Sequence, residues 1–309
     1  MRIVFMGTPD FALFSLRALI EAGEEVVGVI TQPDKPKGRG YTLTPPPVKV
    51  YAEEHGIPVF QPERVKDGSF DETLRELAPD VCVVAAYGKI LPQSMLDIPK
   101  HGCLNIHGSI LPEYRGAAPM QRAIIEGKKI TGVTIQQMEL GMDTGDILVI
   151  RDTEIGENDN FEDIHDRLGV LGAEAILEAL ALLKAGKLDP RPQDEAQATY
   201  AAKIEKADCA LDFTRPARAL HDQIRGMSPF PLAFAKLPSG SMLKVTESRV
   251  VDEDSEGECG KVTALDDGIV VQCGKGKIRF LGVLPEGKGR MKAADFIRGR
   301  KIAVGDILK

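Results

Sequence analysis

The sequence predicts an α/β chain in two parts. A Rossmann-like, mostly parallel sheet with helices on both faces comes first, and a small OB-like β-barrel follows. Three observations predict this. Residues 1–31 read strand, turn, helix, strand, a βαβ opening that implies a parallel sheet with a right-handed crossover. Asp80-Val-Cys-Val-Val-Ala-Ala86 is a continuous apolar run, the pattern of a strand buried on both faces. Beyond Leu188 a polar, proline-containing stretch leads to five short strand-like runs separated by turns, the spacing of a small barrel. The expected division is 1–188, a linker at 189–205, and 206–309.

The elements follow in order. Arg2–Phe5 is a strand, Phe11–Ala22 a helix and Val26–Thr31 a second strand. The turn between the first strand and the helix holds only Gly7 where a dinucleotide fingerprint needs three glycines, and Pro9 stiffens it, so NAD binding is rejected. Gln32 to Pro47 carries five prolines and two glycines in 16 residues, which predicts an irregular loop. Lys35, Lys37 and Arg39 make that loop basic against the single acid Asp34. A helix is expected at 47–55, a short strand at Val59–Phe60 and a helix at Asp71–Leu77. Phe161–Lys184 has apolar residues at helical spacing (Ile164, Leu168, Leu171, Ala175, Ile176, Leu180), a stripe that packs on a sheet. In the second part a helix at Pro216–Gly226 precedes runs at 232–237, 242–251, 260–265, 268–273 and 278–284.

A chain of 309 residues with 43% hydrophobic and 28% charged residues can bury a sizeable core in two domains. Five scattered cysteines without CxxC spacing argue for a reducing compartment, against a disulfide framework and against a zinc site. No apolar run of about 18 residues exists, and the N-terminus lacks a signal-peptide pattern, so a cytoplasmic location is expected. Gly274-Lys-Gly-Lys277 lacks the spacing and Ser/Thr of a Walker loop. Asp143 and Asp146 have no His or Cys set near them, so no metal is expected. The net charge of −7 is unevenly spread. Residues 206–309 carry 18 Lys+Arg and 14 Asp+Glu, whereas 1–205 carry 21 and 32, an asymmetry that suggests polyanion binding at the basic end.

The chemistry concentrates in residues 103–146. Asn105 and His107 lie two apart in Leu-Asn-Ile-His, so period two puts both on one strand face, with Leu104 and Ile106 on the other. Gly108 breaks the strand into Ser109-Ile-Leu-Pro112-Glu-Tyr-Arg-Gly, and helix resumes from Ala117. A second strand, Gly132–Met138, runs into the loop Glu139-Leu-Gly-Met-Asp143-Thr-Gly-Asp146. An amide, an imidazole and a carboxylate thus lie at or beyond strand ends, where open α/β sheets bind ligands. The amide and ring can stabilise oxygen charge in a tetrahedral intermediate, each such donor being worth ~10²–10³ in rate. The carboxylate can orient the ring and take a proton from an attacking amine. No Ser or Cys nucleophile is required if the substrate brings its own, so the trio suits direct acyl transfer between nitrogens.

Asn-Ile-His-Gly-Ser-Ile-Leu-Pro-Glu-Tyr-Arg-Gly-Ala-Ala-Pro, with the later Gly-Val-Thr-Ile and Met-Asp-Thr-Gly-Asp, resembles the 10-formyltetrahydrofolate-dependent formyltransferases. Within them it is most similar to those acting on methionyl-tRNA. Ile110 stands where that family's Ser-Leu-Leu-Pro has its first leucine. The resemblance implies formyl transfer from 10-formyltetrahydrofolate to the α-amine of initiator methionyl-tRNA, with Asn105, His107 and Asp143 catalytic. It implies that Ser109, Ile110, Leu111 and Pro112 bind folate and that the turn Tyr87–Pro92 lines a pterin pocket. The 32–47 loop resembles a family insertion that approaches the acceptor end of tRNA, with Arg39 in its Gly-Arg-Gly; Tyr41 and Thr42 stand where many members carry lysines, and an aromatic ring such as Tyr41 can stack on a base. The family's C-terminal domain is likewise OB-like and binds tRNA. Other readings are a formyltransferase acting on an amino-sugar nucleotide or glycinamide ribonucleotide, and a non-catalytic tRNA- or folate-binding protein. A glycinamide ribonucleotide enzyme would need no C-terminal barrel, the basic loop and basic C-terminus would lack a purpose in an amino-sugar enzyme, and binding alone would not need an Asn/His/Asp set.

Overall fold

The computed structural model describes residues 1–37 and 42–309 and groups them into two compact units. The first comprises 1–116, 131–153 and 165–200; the second comprises 117–130, 154–164 and 201–309.

The first unit is built on a seven-stranded sheet. Its order is Ile147–Glu154, Ile130–Gln137, Cys103–His107, Val81–Ala85, Arg2–Gly7, Glu25–Ile30, Val59–Phe60. Pairs from Cys103–His107 through Val59–Phe60 are parallel, and Cys103–His107 pairs antiparallel with Ile130–Gln137. Val81–Ala85 is buried at every position, as its unbroken apolar run requires. Helix Asp10–Glu21 buries Phe11, Ala12, Ser15, Leu16 and Leu19, one face of a 3.6-residue period. Gly7 is needed where the first strand meets that helix, because a Cβ there would lie 2.6 Å from the Ala12 side chain. Helix Phe161–Lys184 comes close enough to the sheet that a Cβ on Gly172 would sit 2.9 Å from Ile106. The helix therefore covers the Leu104/Ile106 face and leaves the Asn105/His107 face to the site.

The irregular loop expected at 32–47 contains a short antiparallel pairing of Lys35–Lys37 with Thr42–Thr44. Arg39 and Tyr41, expected to meet tRNA, lie outside the described residues. No helix among the described residues is long and apolar enough to cross a membrane.

The second unit holds an antiparallel sheet ordered Ala233–Lys236, Met242–Asp252, Lys277–Pro285, Ile269–Gln272, Val262–Leu265, with Met291–Lys292 also pairing to Lys277–Pro285. The sheet does not close on itself. The C-terminal residues join its edges instead: Lys309 N–H donates to the Lys236 carbonyl at 3.0 Å, and Leu308 N–H and Val262 N–H bond to Gly260 and Asp306 carbonyls at 2.8 Å. Both edges thereby lose part of their unpaired backbone. Inside, Leu243, Val245, Ile269, Val271, Ile278 and Phe280 pack with Leu220 and Ile224 of helix Ala217–Gly226.

That helix also buries four polar side chains. His221 sits between Ser248 Oγ (3.0 Å) and the Glu157 carbonyl (3.1 Å), and Gln223 donates to the Asp208 and Ala210 carbonyls. Arg225 pairs with Asp222 at 2.7 Å and donates to the Gly156 and Asp159 carbonyls. These bonds explain why 154–164 belongs to this unit, far in sequence from its sheet.

Candidate active site

Strand register places the site. Asn105 is opposite Gln136 and His107 opposite Thr134 across the antiparallel pair, and directly opposed residues share a sheet face. One face therefore presents Asn105, His107, Thr134 and Gln136 together. Past the strand, Thr134 Oγ1 donates to the Ser109 carbonyl at 2.7 Å and accepts from Leu111 N–H at 3.0 Å. The buried Ser109 hydroxyl donates to the Glu113 carbonyl at 2.6 Å. The Ser109–Pro112 segment is thus pinned to the neighbouring strand and through its own turn. Leu111 is buried, whereas Ile110 and Pro112 stay partly accessible beside the strand that carries Asn105 and His107.

His107 is buried, with Nε2 donating to the Tyr114 carbonyl at 2.9 Å. Its Nδ1 faces Asp143 Oδ1 at 3.6 Å, longer than a direct hydrogen bond. Both ring nitrogens therefore face acceptors, and a neutral ring can donate to only one of them. Asp143 is fixed on both oxygens: Oδ2 accepts from Gly116 N–H and Oδ1 from Gln136 Nε2, each at 2.8 Å. The structure thus brings His107, on its strand, and Asp143, in a loop 36 residues further along the sequence, together, and sets Asn105 on the same strand face two positions upstream of His107.

The turn after Val81–Ala85 bends sharply, with Ala86 at φ 45° and Gly88 at φ 78°. The Tyr87 carbonyl accepts from Thr8 Oγ1 and Gln32 Nε2, which holds the turn against the first two strand ends. Burial pushes the Tyr87 hydroxyl up to about 12, and its oxygen has no hydrogen-bond partner among the described residues. Lys89 is anchored on the Pro62 and Glu63 carbonyls, and burial lowers its ammonium below the usual lysine value. Ile90 at the tip is 59% exposed, an apolar side chain offered beside backbone groups able to read a flat heteroaromatic ring.

Three contributors were not identified from sequence. Gln136 reads as an ordinary strand residue until register puts it opposite Asn105. Arg115 is fully buried, and its guanidinium bonds both carboxylate oxygens of Glu195 at 2.9 and 2.7 Å. Gln193 donates to the Asp143 and Gly145 carbonyls. Glu195 and Gln193 lie in 189–205, which composition marks only as a linker.

Residues 1–180 match the family described as formyl transferase, and residues 203–301 match its C-terminal domain. The chain belongs to the formyl transferase family. It is 50% identical over 309 residues to methionyl-tRNA formyltransferase from Geotalea uraniireducens, covering all of this chain and 98% of the relative. Among solved structures this family member resembles the N-formyltransferase from Helicobacter canadensis in complex with folinic acid and dTDP-3-aminofucose. The TM-score is 0.69 at 18% identity, over 90% of this chain and 98% of that one. It also resembles HypX from Aquifex aeolicus in complex with tetrahydrofolic acid, with TM-score 0.65 at 20% identity. There it covers 97% of its own length but spans about half (47%) of the longer chain. These two likenesses establish the fold.

Proposed function

We infer that the protein moves a formyl group from 10-formyltetrahydrofolate to the α-amine of methionine on initiator tRNA, in the cytoplasm, at the start of protein synthesis. The observation that carries this is that Asn105 and His107 share one face of an interior strand and His107 faces Asp143 beyond it, in a chain half identical to a methionyl-tRNA formyltransferase along its whole length. Residues 1–188 carry the chemistry on this reading. Residues 206–309, with their excess of Lys and Arg, bind the tRNA, and Arg39 in the 32–47 loop meets its acceptor end.

Folate lies along Ser109, Ile110, Leu111 and Pro112, with its pterin ring on backbone groups of 87–92. The neutral amine attacks the formyl carbon, forming the new C–N bond and a tetrahedral oxyanion. The Asn105 amide and the His107 ring stabilise that oxygen, the ring by turning its Nε2–H from the Tyr114 carbonyl to the oxyanion. Asp143 orients the ring and helps pass the amine's proton to the leaving N10. Cleavage of the C–N10 bond then releases formylated methionyl-tRNA and tetrahydrofolate.

The test is a side-by-side assay with charged initiator tRNA, an amino-sugar nucleotide and glycinamide ribonucleotide as acceptors. Formylation of the charged tRNA alone supports the reading. Preferential formylation of either small acceptor refutes it.

A further inference from the structure

The geometry points to Gln193 as a positioning residue that holds the Asp143 carboxylate in place beside His107. The proposal deepens the functional reading above and rests on it for the role of Asp143.

Asp143 has a φ of 53°, in the left-handed region that is less favourable for residues bearing a side chain than for glycine. Its loop needs outside bonds to stay there, and the Gln193 amide supplies two. Nε2 donates to the Asp143 carbonyl at 2.8 Å and to the Gly145 carbonyl at 2.7 Å. On its other side, Oε1 accepts from Arg115 Nε at 3.1 Å and from its second guanidinium nitrogen at 2.9 Å. Only this orientation makes every contact donor to acceptor. A flipped amide would set NH₂ against guanidinium N–H groups and oxygen against two carbonyls.

The clamp is itself fixed. Arg191 exchanges both backbone hydrogen bonds with Ile147 at 2.8 and 2.9 Å, which sets Gln193 two residues further on. Pro192 between them has its φ locked. Glu195 holds Arg115 by a bidentate pair, so the guanidinium that meets Gln193 is held in one plane. Arg115 also lies between the two backbone groups that touch the catalytic pair. The Tyr114 carbonyl accepts from His107, and Gly116 N–H donates to Asp143. Gln193 therefore closes a ring of bonds running from His107 through 114–116 and Arg115 to the Asp143 loop. A residue with only a scaffolding role would need the Arg115 bonds alone. The two bonds to the loop carbonyls are the ones that set the carboxylate.

Gln193→Glu separates the two roles. It keeps the shape and both acceptor bonds to Arg115 but faces the Asp143 and Gly145 carbonyls with an oxygen. Turnover is expected to fall by roughly 10²-fold, the scale of a misplacement near 1 Å, with KM for both substrates nearly unchanged. Hydrogen exchange at the Gly116 amide, now donated to Asp143, is expected to quicken about tenfold as that bond opens more often. Wild-type turnover, or a loss of turnover with Gly116 exchange unchanged, overturns the proposal. If Gln193→Glu does not fold, Gln193→Met removes the donor without adding charge and is read by the same exchange measurement. A wild-type protein inactive on methionyl-tRNA would refute the functional reading instead. The Gly116 exchange comparison needs no substrate and still decides the clamp.

Discussion

Gly145→Ala tests how tightly the site depends on the shape of its carboxylate loop. A Cβ at that position would lie 1.6 Å from the Gln137 carbonyl oxygen and 2.8 Å from its carbon. Ordinary contact begins at 3.4 Å, so the two must separate by about 1.8 Å, the difference between 3.4 and 1.6. Gln137 is held in its strand by pairing with Leu104, so the loop is the part that gives way. Asp143 sits two residues away and accepts both its side-chain bonds at 2.8 Å. Even half that displacement carries both beyond the ~3.5 Å limit of a hydrogen bond. A shift of about 1 Å at a reacting group costs on the order of 10²-fold in rate, and overpacking costs about 1–3 kcal/mol of stability. The assay is steady-state formyl transfer to charged initiator tRNA, with kcat and KM separated, beside a urea unfolding curve. Gly289→Ala is the control, since among the described residues none but its chain neighbours comes within 4 Å of its added Cβ, and it should stay within about 0.5 kcal/mol of wild type. Gly145→Ala with wild-type kcat and an unchanged unfolding midpoint would show that the loop's shape does not set the carboxylate.

Three further outcomes follow from the second unit. Arg225→Met leaves the buried Asp222 carboxylate and the Gly156 and Asp159 carbonyls without their donor. Breaking a buried pair on one side costs about 3–5 kcal/mol, read as a lower urea midpoint that Arg225→Met with Asp222→Leu partly restores. Burial holds the His221 imidazole below its usual 6.5, with Arg225 and Arg218 acting in the same direction, against the Glu157 carbonyl bond and the Asp222 carboxylate. The unfolded chain then takes up that proton more readily, so this contribution is complete above about pH 6.5 and is lost as pH falls toward the depressed folded value. Unfolding midpoints at pH 7.5 and 5.5 should differ, and His221→Gln should shrink the difference. If the basic C-terminal segment docks phosphates, KM for tRNA should rise about tenfold or more between 50 and 200 mM salt. A flat profile would remove that role.

The strands and helices that bury apolar faces were legible because burial leaves a period. Val81–Ala85 announced itself by an unbroken apolar run, and Asn105 and His107 by alternation. Strand Ile147–Glu154 was missed because only its first half is buried, so Arg151, Asp152 and Glu154 erase the pattern. The His107–Asp143 juxtaposition was inferable from residue types and family motifs. Gln136 was not, because its importance arises from cross-strand register, which a single strand's sequence does not encode. Gln193, Glu195 and Thr199 were invisible for a related reason. They attach by individual polar bonds, Thr199 Oγ1 accepting from Tyr114 N–H among them, and such bonds impose no periodicity on a chain that reads as a proline-containing linker.

Single-turnover formyl transfer by Asp143→Asn, with saturating 10-formyltetrahydrofolate and charged initiator tRNA, tests the central claim most directly. The substitution preserves the size of the side chain and one oxygen for the Gly116 N–H while removing the charge that faces His107. The expected rate is lower by ~10²–10⁴, with folate binding changed far less. A variant that turns over within a few-fold of wild type would contradict it.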